Sequence, residues 1–481
     1  MKPLTAGPDE SLAASAQPTP SVRWALASLS LAMLLSSLGT SIANVGLPTL
    51  AQAFNASVQE VQWVVLAYLL AITTLIVSVG RLGDLTGRRR LLLAGIFLFT
   101  AASALCAAAP TLWLLIAARA VQGLGAATMM ALTIAFVGEA VPKERIGSAM
   151  GLLGTMSAIG TALGPSFGGV LIASFGWPAI FLVNVPLGIL ALILAYRFLP
   201  ADRREAKTYR DGFDHPGTVL LALALAAYAL AMTMGRGSFG PLNTALLMAA
   251  VLGAGLFVLV ERRAASPLIR LEMFENPVLT AGFAMSTLVT TVVMATLVVG
   301  PFYLAGALAL DAAGVGLVMS CGPLVAALVG VPAGRLVDRF GAHRMGIVGL
   351  IAMAVGSSIL PLLPTRFGVP GYIAPLVIIT AGYALFQAAN NTAVMTDIRP
   401  DQRGVISSLL SLSRNLGLIT GASVMSAVFA LGSATTHVMT ARPEAVAAAM
   451  RITFTVAAVL IVVALAIAAA SLARSRRAVA P

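Results

Sequence analysis

Gly80-Arg81-Leu82-Gly83-Asp84-Leu85-Thr86-Gly87-Arg88-Arg89-Arg90 returns 254 residues later as Gly334-Arg335-Leu336-Val337-Asp338-Arg339-Phe340-Gly341-Ala342-His343-Arg344. Both copies read G-R-L-x-D-x-x-G-x-x-R, and each lies between long apolar stretches. A charged, glycine-punctuated joint repeated once in a very apolar chain points to a duplicated helical bundle in a membrane. The same face of each half then carries the same joint, which suits a carrier whose halves rock about a central site.

Composition supports a membrane protein. Of 481 residues, 59% are hydrophobic and 10% charged, where a soluble domain carries about 25% charge. Cys106 and Cys321 stand far apart in apolar runs and form neither a disulfide framework nor a metal cluster. Residues 1–22 are polar and rich in Pro, Ser and Ala, so they read as a disordered cytoplasmic tail with no cleaved leader.

A helix needs about 20 apolar residues to cross the hydrocarbon core. Fourteen stretches qualify: 24–52, 58–79, 91–109, 111–138, 146–173, 178–199, 216–235, 242–260, 278–307, 313–333, 345–363, 371–394, 404–430 and 445–472. The division at Ala109-Pro110-Thr111 rests on proline and its restriction of the residue before it. With the amino terminus inside, inner segments hold 24 of the 30 Lys and Arg residues. That bias predicts cytoplasmic termini in an inner, plasma membrane. The net charge of +12 is thereby a topology signal in contact with lipid head groups, not a nucleic-acid surface. Both joints face the cytoplasm with fourteen crossings; with thirteen, one would face out.

The repeat extends beyond the joints. Pro142-Lys143-Glu144-Arg145 matches Pro400-Asp401-Gln402-Arg403, and Glu139 matches Asp397, at an offset of 258. Gly160-x-x-x-Gly164 matches Gly417-x-x-x-Gly421 at 257. The predicted organisation is an all-α polytopic protein: a six-helix bundle over 23–199, a linker with two inserted helices over 200–276, a second bundle over 277–472, and a basic cytoplasmic tail over 473–481.

Four motifs now carry a resemblance. Ser41-Ile42-Ala43-Asn44-Val45-Gly46-Leu47-Pro48, the Gly80–Arg90 joint, Arg119-Ala120-Val121-Gln122-Gly123-Leu124-Gly125, and Gly160-Thr161-Ala162-Leu163-Gly164-Pro165-Ser166-Phe167-Gly168-Gly169 occur in order. They resemble the signatures of the major facilitator superfamily, in its fourteen-helix drug:proton antiporter branch, over residues 24 to 472. The resemblance implies the major facilitator fold and a secondary transporter that exports small molecules by proton antiport, with no cofactor. It implies a role for Arg119 in coupling proton movement to transport. It also implies a hinge and leak-tight contact at Gly160, Gly164, Pro165, Gly168 and Gly169.

The joints invite a physical reading as a cytoplasmic gate built from Gly80, Asp84, Gly87, Arg88 and Arg89 and from Asp338, Gly341 and Arg344. A carboxylate at a helix end is stabilised where the amino end of another helix points at it. By the internal two-fold, Asp84 is expected near the helix beginning about Gly404, after Arg403, and Asp338 near the helix beginning about Ile146. Arg88 or Arg89 is expected to pair with Glu139, and Arg344 with Asp397. The glycines of 160–168, spaced i, i+4, i+8, line one helix face for close approach, with a kink at Pro165.

Ionisable groups at membrane depth are costly and usually functional. Arg119 and Arg414 fall inside predicted helices, joined by Gln122, Asn44, Asn184, Gln387, Asn390 and Asn415, with Tyr68 and Tyr303 as cavity walls. All 18 acidic residues fall at helix ends, in loops or in tails. Many members of the branch carry an Asp where this chain has Gly39, and a Gln where it has Ala305. Two arginines without a buried carboxylate favour neutral or anionic cargo over cationic drugs. The proton carrier is left among Glu60, Glu139 and a water held by Arg119. A polyspecific exporter of cationic drugs and a carrier-fold sensor are the alternatives. An enzyme would need a nucleophile–base pair or metal ligands, and His215, His343 and His437 stand far apart. No G-x-x-x-x-G-K-[ST] loop for a primary pump occurs. The expected partners are a small-molecule substrate, protons and the bilayer, with one chain, a monomer, as the working unit.

Overall fold

The structure is a computed structural model. It describes residues 20–56, 58–142, 145–201, 214–233, 240–264, 267–310, 312–363, 367–396, 398–399, 402–433 and 442–479. The side chains of Asn44, Glu139 and Pro165 also lie outside the described set, as do all of Asp397 and residues 1–19.

Among the described residues the chain is helical, with no strand. The first bundle comprises α1 (Pro20–Ala53), α2 (Val58–Thr86), α3 (Arg88–Ala107), α4 (Leu112–Ala140), α5 (Ile146–Phe175) and the broken rod α6 (Ala179–Leu182) with α7 (Asn184–Phe198). A hairpin follows, α8 (His215–Thr233) and α9 (Pro241–Glu261), then a 3₁₀ turn, Leu271–Glu275. The second bundle comprises α10 (Pro277–Gly306), the broken rod α11 (Ala312–Met319) with α12 (Cys321–Phe340), α13 (Ala342–Leu362), α14 (Gly368–Met395), α15 (Arg403–Ser433) and α16 (Pro443–Val479). Each predicted apolar stretch thus coincides with one helical rod. Among the described residues, eleven helices are long and apolar enough to cross a membrane. The protein is a multi-pass membrane protein.

Local chemistry sets the boundaries. Thr111 accepts the Leu114 N–H at 3.4 Å and starts α4 just after the predicted break. Asn276 accepts the Val278 N–H at 2.9 Å and starts α10, with Pro277 in the first turn. The basic segment 473–479, expected as a tail, continues α16 as helix to Val479.

The two bundles repeat one packing scheme. In the first, α5 lies on α1; in the second, α15 lies on α10. The Ser41 hydroxyl donates to the Gly160 carbonyl at 3.1 Å, and the Thr291 hydroxyl donates to the Gly417 carbonyl at 3.1 Å. A Cβ at Gly160 would fall 2.5 Å from the Leu34 carbonyl, and one at Gly421 would fall 2.6 Å from the Thr291 carbonyl. Small residues let the backbones touch, and a hydroxyl satisfies a carbonyl across the seam. The hairpin packs α8 on α2 and α15, with the Tyr228 and Thr420 hydroxyls hydrogen-bonded. The outer faces are apolar and exposed, with Val251, Leu252 and Leu259 on α9 and Leu317 and Leu328 on α11 and α12. Such faces are stable only against lipid.

Candidate functional site

The charged joints are almost entirely helix. α2 runs through Thr86 and α3 begins at Arg88, so Gly87 alone makes the turn, with φ of 105°. Gly341 does the same between α12 and α13, with φ of 88°. Only glycine adopts such angles without strain.

This geometry aims the aspartates across the interface between the halves. Asp84 accepts the N–H groups of Gly404 at 3.0 Å and Val405 at 3.1 Å, in the first turn of α15. Asp338 accepts those of Gly147 at 2.7 Å and Ser148 at 2.9 Å, in the first turn of α5. Each carboxylate satisfies two orphan amides and faces the positive end of a helix from the opposite bundle. Around both contacts the backbones touch. A Cβ on Gly80 would land on Ser408 Oγ and the Gly404 carbonyl, and one on Gly334 on the Gly147 carbonyl. The Ser407 hydroxyl adds a bond to the Ala131 carbonyl at 2.7 Å.

The arginines of the joint are placed unequally. Arg88 forms a salt bridge with Asp84 at 2.7 Å, both side chains buried. Arg89 donates to the Tyr196 carbonyl and lies 5.4 Å over the Tyr196 ring. The expected partner of either, Glu139, has a side chain outside the described set. Arg344 is exposed, and its expected partner Asp397 lies outside the described residues. Arg403 stands beside Gly138, and its Nε is buried without a hydrogen-bond partner among the described residues.

Gly164 and Gly168 also face α1, against Ser41 and Ile42, while Gly169 faces open space. Gly169 therefore plays no part in the close approach.

Arg119 is fully buried within the first bundle. Its Nε donates to the Val64 carbonyl at 2.9 Å, Nη1 to Gln122 Oε1 at 2.6 Å, and Nη2 to the Gly39 carbonyl at 3.0 Å. Its guanidinium lies 4.1 Å from the Tyr68 ring centroid. Gln122 in turn donates to Ser103 Oγ at 2.7 Å, and the Tyr68 hydroxyl donates to the Ser36 carbonyl at 2.8 Å. Backbone carbonyls and a π face thus neutralise the cation without a carboxylate. A side chain at position 39 would begin 2.9 Å from the Tyr68 hydroxyl, so the present packing leaves no room for an acid there.

Arg414 is placed differently. It lines a small pocket with Tyr383, Gln387, Asn390 and Asn391 of α14 and Ser286 of α10. Its Nε is buried without a hydrogen-bond partner among the described residues. Asn390 commits its Nδ2 to the Gly282 carbonyl at 3.1 Å. The lining contains no acid. The two arginines expected to share one cavity are therefore divided: Arg414 faces it, and Arg119 is closed off by its own hydrogen bonds.

The remaining polar positions stay apart from this cavity. Asn184 is buried at the start of α7 and donates to the Ile180 carbonyl at 3.4 Å. Tyr303 stacks on Tyr372 with centroids 5.9 Å apart. Asn415 is half-buried and outside the lining, and the Asn44 side chain is undescribed. The reading from residues did not assign Tyr383, Ser286 or Thr290 to the site. Their signal was spacing: Tyr383 and Gln387 are i, i+4 on α14, as Ser286 and Thr290 are on α10.

Residues 29–422 match the family model of the Major Facilitator Superfamily. The chain belongs to that superfamily. It is 33% identical over 398 residues to the riboflavin transporter RibZ of Clostridioides difficile (strain 630), covering 83% of this chain and 86% of the relative. It is 31% identical over 403 residues to the multidrug resistance protein Stp of Mycobacterium tuberculosis (strain ATCC 25618 / H37Rv), covering 83% and 74%. Among solved structures, the human organic anion transporter MFSD10 (TETRAN) superposes with a TM-score of 0.65 at 15% identity, covering 94% of this chain and all of that one. The proton:xylose symporter XylE gives 0.64 at 16%, covering 92% and 95%. These similarities show a superfamily transporter fold, and a transporter rather than an enzyme.

Proposed function

We propose that this protein exports neutral or anionic small molecules in exchange for protons, by alternating access across the plasma membrane. In this reading all fourteen rods cross the bilayer, both termini are cytoplasmic, and one chain suffices. The observation that carries the cargo preference is Arg414: a buried guanidinium nitrogen without a hydrogen-bond partner among the described residues, in a small pocket whose lining holds no acid. A ligand carbonyl or carboxylate is the acceptor that such a donor lacks. Export is supported by relatives named as a multidrug resistance protein and a drug efflux pump.

The crossed aspartates serve as the gate. They fasten the halves at the end where the basic residues lie, so this end opens only when four backbone hydrogen bonds break. Arg119 acts from within the first bundle, where the resemblance places proton coupling; its shift would alter Gln122, Tyr68 and the Gly39 carbonyl together.

The test is flux in proteoliposomes under an imposed pH gradient. Three probes are compared: riboflavin, an anionic fluorescein derivative and a cationic dye such as ethidium. Proton-driven movement of the first or second, lost in Arg414→Gln, is expected. Movement of ethidium alone, unchanged in Arg414→Gln, would show a cationic exporter instead.

A further inference from the structure

The inserted hairpin carries a feature that neither the cavity nor the gate uses. Asp214 immediately precedes α8, and Glu261 is the last residue of α9. Their carboxyl groups are neighbours. Both converge over Gly217, where a Cβ would fall 2.7 Å from Glu261 Oε1 and would also touch Asp214 Oδ2. Glu261 is only 3% exposed. Asp214 Oδ1 accepts the Gly217 N–H at 2.8 Å, and Glu261 Oε1 accepts the Leu268 N–H at 3.2 Å. The other oxygens, Asp214 Oδ2 and Glu261 Oε2, are buried with no further partner among the described residues.

Among the described residues neither carboxylate has an ion-pair partner; Arg203, Arg204, Lys207 and Arg210 lie outside the described residues. Arg262 and Arg263 follow Glu261 but are exposed, and Arg270 is half-buried beyond the connector. α2 and α15, which pack on α8, bring Arg81, Asp84 and Arg403 to the same end, and Asp84 is paired with Arg88. Glu272 and Glu275 of the 3₁₀ turn add only negative charge, and the His215 ring lies outside the described side chains. Asp214 is the charged neighbour that acts on Glu261.

We propose that Asp214 and Glu261 form a proton-binding site at the base of the hairpin, with the proton carried by Glu261 and shared with Asp214. Two ionised carboxylates in buried contact repel, and one proton converts that repulsion into a hydrogen bond. The helix ends decide which group holds it. Asp214 caps the positive amino end of α8 through the Gly217 N–H. Glu261 stands at the negative carboxyl end of α9, where an anion is disfavoured. A metal ion fits poorly, because the neighbouring backbone groups of Gly217 and Leu268 present N–H donors to the pair. Among the described residues no group of three or more His, Cys, Asp or Glu side chains gathers.

The proton has a structural consequence. Glu261 holds the Leu268 amide, and Leu268 and Ile269 are buried in the core with Leu221 and Leu225. Through them the connector to α10 is fastened to the hairpin. Release of the proton to water as pH rises leaves two adjacent anions and loosens that fastening. The site thereby ties the hairpin to the second bundle in a pH-dependent way, independently of which cargo is exported.

The test is infrared difference spectroscopy of the full chain in lipid, titrated through neutral pH. A protonated-carboxyl stretching band is expected in the wild type and is expected to vanish in Glu261→Gln, which keeps size and hydrogen bonding. In Asp214→Asn the band is expected to persist with its midpoint moved to lower pH, because the neighbouring anion is gone. An identical band in Glu261→Gln, or an unmoved midpoint in Asp214→Asn, would overturn the proposal. So would a midpoint displaced by Mg²⁺ or Ca²⁺, which would make the pair a cation site. None of these readouts depends on transport.

Discussion

Removal of the Asp84 carboxylate tests the gate most directly, and the structure predicts an unequal outcome for its repeat. In Asp84→Ala, the Gly404 and Val405 amides lose their acceptor. Arg88, with a side chain 8% exposed, loses its anion. Hydrogen bonds to a charged group contribute about 1.5–3 kcal/mol each. Breaking a buried ion pair by removing one partner costs about 3–5 kcal/mol. These terms overlap, so the closed arrangement should lose about 4 kcal/mol, roughly a thousandfold in the equilibrium. Asp338 makes the same two backbone bonds but is exposed, and Ala342 stands where the first joint has Arg88. Water replaces much of what it offers, so Asp338→Ala should cost about 1 kcal/mol, roughly fivefold. The assay is pulsed electron paramagnetic resonance between spin labels at the exposed positions 90 and 343, with Cys106 and Cys321 replaced. Asp84→Ala should populate a longer distance strongly, and Asp338→Ala only weakly. Identical distributions in Asp84→Ala and the wild type, or equal shifts in both variants, would refute the reasoning.

Other outcomes follow from the same contacts. Arg119→Lys offers one ammonium where three acceptors are separately satisfied; proton-driven flux should be lost while membrane insertion, read by fluorescence of a fused reporter, is kept. Gly404→Ala places a Cβ on the Gly80 carbonyl and 2.5 Å from Asp84 Oδ1, an overpacking cost of about 1–3 kcal/mol; a thermal unfolding midpoint equal to wild type would contradict it. Gly169→Ala, with nothing within 4 Å, should leave both stability and flux unchanged and serves as its control. Gly39→Asp should lower stability by displacing the Tyr68 hydroxyl, 2.9 Å from the new Cβ, and should not confer ethidium export.

Much of the architecture was legible in the chain. Apolar runs of membrane-spanning length mark each rod, because hydrocarbon leaves a helix no other place for its backbone bonds. The duplication was legible as well, since matched spacing of charged and glycine residues survives where apolar residues interchange. The turn at each joint was misjudged in extent. The apolar stretch ends at residue 79, yet helix continues to Thr86, because a helix that leaves the membrane can keep charged side chains on its last turns.

The sequence by itself determined the class of protein, the repeat and the end at which its charges gather, because burial in lipid constrains composition over long stretches. Only the tertiary structure decided what each charge does. Arg119 and Arg414 are alike as letters; one is consumed by the carbonyls of Val64 and Gly39, and the other lines a small polar pocket between α10, α14 and α15. Asp214 and Glu261, 47 positions apart, meet because α8 and α9 fold back as a hairpin. Those differences depend on which backbone carbonyls, amides and rings lie within about 3 to 4 Å, and side-chain spacing along one chain does not encode them.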